Sequence, residues 1–196
     1  MAELLIITGP PGAGKSTVSE LVAARFDRCA LVRGDTFFGF VARGYIDPWL
    51  PESHEQNEVV TRATATAAGR FATGGYTTIF DGMVGPWFLP TFLEYSGLGS
   101  VHYAVLLPDL DTCVARVRDR EGHGFRDESV TRQMHASFAT SKIDARHIVA
   151  ERGDADLVAR EVLQRFEDRT LFDPKVPGSM NTPGVDGSSP PATTGD

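Results

Sequence analysis

The sequence predicts an α/β fold in which a parallel sheet carries helices on both faces. Three observations predict it. An apolar run, Leu4 to Ile7, breaks after Thr8 into a glycine-rich loop that ends in Gly14-Lys15-Ser16. Further apolar runs end near Val32, Phe80, Leu107 and Val149, and they alternate with stretches whose apolar residues recur at helical spacing. Parallel strands also require right-handed crossovers, which cover both faces of the sheet.

At 196 residues the chain suits one domain, or one domain with a tail. The composition, 41% hydrophobic and 23% charged, is that of an ordinary soluble domain. A net charge of -7 argues against a phosphate-tracking surface, so no nucleic-acid partner is expected. A nucleotide needs only a local pocket. Cys29 and Cys113 lie in apolar contexts without metal-ligand spacing and read as buried thiols of a reducing compartment. The N-terminal apolar run is too short to span a membrane or to direct secretion, which leads to the expectation of a cytoplasmic protein with no membrane partner. Oligomeric state is not legible in the sequence.

Gly9 to Ser16 spell GxxxxGKS, the phosphate-binding P-loop, between a predicted buried strand and a helix with Val18, Leu21, Val22 and Phe26 at helical spacing. That context confirms the motif. Gly9, Gly12 and Gly14 permit backbone angles that turn successive N–H groups inward, and the helix N-terminus adds partial positive charge. The nucleotide-binding residues are therefore Gly9, Pro10, Pro11, Gly12, Ala13, Gly14, Lys15, Ser16 and Thr17. Lys15 is the point charge for the β- and γ-phosphates, and Ser16 offers its hydroxyl to Mg²⁺.

The second strand, Cys29 to Val32, leads into Arg33-Gly34-Asp35 and sets Asp35 at the strand's C-terminal edge, where open α/β sheets bind ligands. Residues Phe37 to Pro51 mix aromatics with glycine and proline. They read equally as the wall of a substrate pocket or as a surface segment with a minor hydrophobic cluster. A helix over Glu55 to Thr73 is predicted to pack through Val59, Ala63, Ala67 and Phe71. The strand Tyr76 to Phe80 then brings a second carboxylate, Asp81, to the same sheet edge.

A helix from about Pro86 to Tyr95 precedes the strand Val101 to Leu107, and the next helix buries Leu110, Cys113, Val114 and Val117. That helix ends in Arg116, Arg118 and Arg120. A short loop to Arg126 and a helix bearing Val130, Met134 and Phe138 give the segment 116–130 the look of a lid. Arg116 and Arg120 lie one helical turn apart, whereas Arg118 diverges. Such arginines suit phosphate or a stacked base, although a solvated helix end carries them too. His123 and His135 have no partners at ligand spacing. A short strand, Arg146 to Val149, and a helix with Val158, Val162 and Phe166 end the domain at about residue 170. Residues 171–196 hold five of the 12 prolines without hydrophobic periodicity, and are expected to form a disordered tail.

The P-loop, Asp35, the Asp81-Gly82 strand end and the Arg116-to-Arg126 segment together resemble the P-loop small-molecule kinases. Chloramphenicol phosphotransferase, gluconate kinase, shikimate kinase and zeta-toxin kinases share that layout. The resemblance covers about Ala2 to Arg169 and implies a three-layer P-loop NTPase fold, with a five-stranded parallel sheet in the order 2-3-1-4-5 and a short lid. It implies an ATP-dependent phosphotransferase that uses ATP and Mg²⁺ to phosphorylate a hydroxyl of a small molecule, a metabolite or an antibiotic. Within it Lys15 holds the phosphates, Ser16 ligates the metal and Asp81 reaches the metal through water. Asp35 accepts the hydroxyl proton, as in the chloramphenicol phosphotransferase and zeta-toxin branch. Arg120 and Arg126 close on the transferring phosphate, and Arg116 stacks on adenine.

Two rivals stand beside this reading. A nucleoside or nucleotide kinase would need an added basic site, to which Arg33, Arg43 and Arg62 could contribute. A nucleotide-dependent switch or ATPase would transfer nothing to a small molecule. The guanine-reading Asn-Lys-x-Asp and the Leu-Ser-Gly-Gly signature are both absent from the sequence.

Overall fold

The central strand β1 (Leu4–Thr8) is buried along its whole length, and its pleat divides the core in two. Leu4 and Ile6 face one side of the sheet, Leu5 and Ile7 the other. The computed structural model describes residues 3–119, 125–150 and 154–174. In it β1 pairs in parallel with β3 (Thr77–Asp81) and β4 (Ser100–Leu106). The outer strands β2 (Cys29–Arg33) and β5 (Ile148–Val149) complete the order β2-β3-β1-β4-β5. The predicted sheet is thus observed, with one added strand.

Helix α1 (Lys15–Ala23) and helix α7 (Ala155–Glu167) cover one face, burying Val18, Val22, Val158, Val162 and Phe166. The other face is covered by α3 (His54–Thr73), α4 (Leu89–Ser96) and Phe138 of α6 (Glu128–Thr140). A short α2 (Gly34–Phe38) follows β2, and α5 (Leu110–Arg118) follows β4 with Asp109 as its N-cap. The α4 helix starts three residues later than predicted, because Pro86 to Phe88 form a turn closed by Phe88 N–H to Gly85. Ahead of β5, residues 145–147 form a 3-10 turn where the sequence predicts strand. Among the described residues no helix is long and apolar enough to cross a membrane.

The packing face of α3 differs from the predicted one by a single position. Val59 and Phe71 are exposed, at 62% and 47%, while Val60, Thr64, Ala65, Ala68 and Ala72 are buried. Close approach explains the choice. A Cβ on Gly69 would lie 1.8 Å from the Ser96 carbonyl oxygen, so α4 sits directly on the helix backbone. Only the small-residue stripe permits that contact, and the larger side chains are left outside.

The predicted tail also begins too early. Leu171 is fully buried in the core beneath α1 and α7, and β6 (Phe172–Pro174) pairs antiparallel with β4. Periodicity misses so short a strand. Residues 175–196, which carry the remainder of that expectation, lie outside the described residues.

Candidate active site

The turn from β1 into α1 is built by glycines at 9, 12 and 14, with φ of 146°, 79° and 84°. Space as well as angle demands them. A Cβ on Gly9 would lie 2.1 Å from the Leu106 carbonyl oxygen, and one on Gly12 would lie 2.2 Å from that of Cys113. The loop is therefore clamped between the end of β4 and α5, with the first N–H groups of α1 at its centre. Lys15 Nζ donates to the carbonyls of Gly9 and Pro10, both at 3.0 Å, which holds the ammonium over the loop.

Beside the loop, β3 delivers Asp81, which is buried. Burial pushes its carboxyl above the usual carboxylate range, and the neighbouring Asp35 adds to the push. A hydrogen bond from Ser16 and the charge of Lys15 pull the other way. The segment after Asp81 is fixed to the sheet. Val84 N–H donates to Thr8 Oγ1 at 2.9 Å, and the buried Tyr103 hydroxyl donates to the Val84 carbonyl at 2.8 Å.

Asp35 lies in the first turn of α2, one residue beyond the end of the strand-to-helix junction at Gly34. It is exposed toward the same opening. Tyr45 approaches it from the following loop. Burial raises the phenol's pKa, and the charges of Asp47 and Asp35 raise it further.

The P-loop separates two cavities. The smaller, about 450 Å³, is lined by Gly12, Ala13, Gly14, Thr17, Arg116 and Val158 among others. The larger, about 640 Å³, contains Pro11, Lys15, Ser16, Asp35 and Asp81 at one rim. Its walls include Phe38, Tyr45 and Trp49, so the aromatic loop supplies a pocket wall, while Phe40 points to solvent. Thus Lys15, Ser16, Asp35 and Asp81 come together, and Arg116 stands across the loop from them.

The lid arginines are not gathered in the same way. Arg126 is exposed and lines neither cavity, and Arg120 and His123 lie outside the described residues. Arg118 pairs with Asp119. His135 Nε2 lies 2.8 Å from the Pro108 carbonyl. Of the cations proposed for an added basic site, Arg33 pairs with Glu20, Arg62 pairs with Glu58 and lies over Tyr95, and Arg43 is exposed away from the cavity.

Sequence reasoning misses the contribution of α3, which it assigns to packing alone. Asn57, Thr61 and Thr64 line the larger cavity. Their spacing of four and three residues, a polar stripe along a buried helix face, is the signal that could have found them. Asn57 Nδ2 also donates to Pro48 O at 2.7 Å and Ser53 Oγ at 2.9 Å, which pins the aromatic loop to the helix.

A metal held by protein ligands alone has no place here: among the described residues no cluster of three or more His, Cys, Asp or Glu is suitably arranged. The Ser16 hydroxyl beside the Asp81 carboxylate instead fits an ion that takes most of its oxygen ligands from phosphates and water.

Residues 4–141 match a family model, AAA_33, described as an AAA domain. No curated protein matches the sequence significantly. Solved structures align over most of the chain. A sugar kinase from Janibacter sp. HTCC2649 superposes with a TM-score of 0.69 at 19% identity, covering 85% of this chain and 95% of that one. The APS kinase of Mycobacterium tuberculosis, in complex with AMPPNP and APS, gives 0.66 at 17% identity, with 85% and 98% covered. A tunicamycin resistance protein from Deinococcus radiodurans gives 0.65 at 15% identity, with 85% and 96% covered. At these identities the likeness is one of fold, and the fold is that of P-loop kinases.

Proposed function

Since this chain belongs to the AAA_33 family of AAA domains, we propose that it is an ATP-dependent phosphotransferase that moves the γ-phosphoryl group to a hydroxyl of a small molecule, a metabolite or an antibiotic. One observation carries the reading. The P-loop contributes Gly12, Gly14 and Thr17 to one cavity and Pro11, Lys15 and Ser16 to another, and the second also holds two carboxylates. A switch or ATPase needs the first cavity and the phosphate rim of the second, but not the rest of a chamber of about 640 Å³. A second chamber opening on the phosphate end suits a second substrate.

Phosphoryl transfer has a loose transition state and asks mainly for alignment and charge neutralisation. ATP with Mg²⁺ would supply the phosphoryl group and much of the neutralising charge. Lys15 and the loop N–H groups would hold the β- and γ-phosphates, with Ser16 as the metal's protein ligand and Asp81 behind it through water. Asp35, open to the larger cavity, would orient the acceptor hydroxyl and take its proton. Arg116, against the smaller cavity, suits stacking on the adenine, and Arg120 and Arg126 are assigned to closure over the transferring phosphate. The nucleotide-kinase rival is weakened by the pairing of Arg33 and Arg62 and the outward position of Arg43.

The test is a panel of hydroxyl-bearing metabolites and antibiotics, incubated with ATP and Mg²⁺ and read by ADP release and by mass gain of one phosphoryl group. A phosphorylated product with acceptor-stimulated ADP release supports transfer. ADP release that no acceptor stimulates favours the ATPase.

A further inference from the structure

The larger cavity has an uneven lining. Its charged side chains among the described residues are Lys15 and Asp35, from the first turns of α1 and α2, and Arg33 and Asp81, from the ends of β2 and β3. Their formal charges cancel. Lys15 is held at the P-loop by the Gly9 and Pro10 carbonyls and Arg33 pairs with Glu20, so the four groups leave the chamber without a net positive charge.

Away from that rim the walls are apolar or neutral. Eight aromatic side chains line the cavity, including both tryptophans of the chain, together with Met83, Met134 and Val84. Trp49, from the loop after α2, meets Phe125, from the segment before α6, with ring centroids 5.1 Å apart. This pair joins the two walls. Hydrogen bonding on the walls is left to Asn57, Thr61, Thr64 and Tyr45. A chamber of about 640 Å³ has the size and apolar character of a drug-sized ligand site with a few placed polar groups.

An anionic acceptor would meet this lining badly. Its charge would enter a largely apolar chamber whose four charged groups already cancel, with no further cation on the walls among the described residues. A flat apolar body would gain contact with the rings and thioethers. Resting on the phosphotransfer reading above, we propose that the acceptor is an uncharged molecule whose hydroxyl is carried on a flat, largely apolar body, and that sugar acids, carboxylates and phosphorylated metabolites are excluded as good acceptors.

Because both tryptophans line the chamber, their fluorescence reports its occupancy without any turnover. The full chain, with AMP-PNP and Mg²⁺, is titrated with 1-phenyl-1,2-ethanediol, with mandelate and with gluconate. The first two share a ring and a benzylic hydroxyl and differ in the replacement of a hydroxymethyl group by a carboxylate. The diol is expected to give a saturable change, with half-saturation at least about tenfold lower than that of mandelate, and gluconate to give none. Met134→Lys, which adds a cation to the wall, is expected to narrow the gap. Mandelate or gluconate binding as well as the diol, no saturable response to the diol, or an unchanged gap in Met134→Lys would each overturn the assignment.

Mass analysis of parallel mixtures with ATP separates this inference from the reading beneath it. Phosphorylation of gluconate in preference to the diol would sustain phosphotransfer and overturn the acceptor class. Diol-selective binding with no phosphoryl gain on any hydroxyl compound would sustain the ligand preference and overturn phosphotransfer.

Discussion

The Ser16 hydroxyl, on the first turn of α1, faces the buried Asp81 carboxylate at the end of β3 and pulls its pKa down against the push of burial. One strand and one helix thereby share a polar contact. Asp35, exposed on α2, makes no part of that pair and faces the cavity. The two carboxylates therefore differ in what they can do.

Replacing each acid by its amide should expose that difference. Asp35→Asn is expected to keep ATP affinity near native and lower transfer by roughly a hundredfold or more, the scale of general-base catalysis. Asp81→Asn is expected to raise the Mg²⁺ concentration needed for half-maximal rate, with added metal restoring part of the loss. A metal titration of both variants decides. Rescue of Asp35→Asn alone would reverse the two roles.

Lys15→Ala should abolish most transfer and leave thermal unfolding almost unchanged, because the Lys15 ammonium bonds the carbonyls of its own loop and contributes little to the core. Full turnover in a normally folded variant would remove the P-loop from the mechanism.

The assigned closing arginines make a kinetic prediction. Arg120→Ala or Arg126→Ala is expected to lower kcat by on the order of a hundredfold, with a much smaller change in ATP binding, since a closing arginine acts on charge in the transition state. Equal losses in both quantities would mark a ground-state phosphate clamp instead.

Leu171 is fully buried, so Leu171→Ala is expected to cost about 2–5 kcal/mol in chemical denaturation. Removal of residues 175–196 alone should leave the melting temperature within a few degrees, as a segment without apolar periodicity buries little. A small effect of Leu171→Ala would show that the residue does not anchor β6.

Stability should fall in mild acid. Burial holds the His102 imidazole below its ordinary value of 6.5, against the opposing pull of Glu3 Oε1 at 3.3 Å. His147 is likewise held down by burial, against the bond from its Nδ1 to the Tyr103 carbonyl. With folded values depressed, the unfolded chain takes up protons first as pH drops. The contribution is complete above about pH 6.5 and is lost progressively below it, toward the lower folded values. Melting temperatures between about pH 8 and pH 5 check this, and a flat profile would contradict it.

Local chemistry carried much of the site into the sequence. Gly9, Gly12, Gly14, Lys15 and Ser16 are legible because a phosphate loop dictates residue types at fixed spacing. Asp35 and Asp81 are legible because each follows a short apolar strand, and in a parallel sheet those ends converge on one edge. The strand order is likewise implied by the family resemblance that these residues support.

Tertiary structure alone decided what depends on the distance between segments. The face of α3 was settled by the contact of Gly69 with Ser96, and periodicity records the repeat of apolar residues but not which neighbour comes close. Leu171 and β6 joined the core because β4 had an unpaired edge beside them, a property of the sheet and not of their own residues. The larger cavity was decided in the same way, since its lining comes from the P-loop, α2 and the loop after it, α3, the turn after β3, Phe125, and Met134 of α6. Trp49 and Phe125 stand 76 positions apart in the sequence yet meet at 5.1 Å, and only the packing of the helices on the sheet could bring them together.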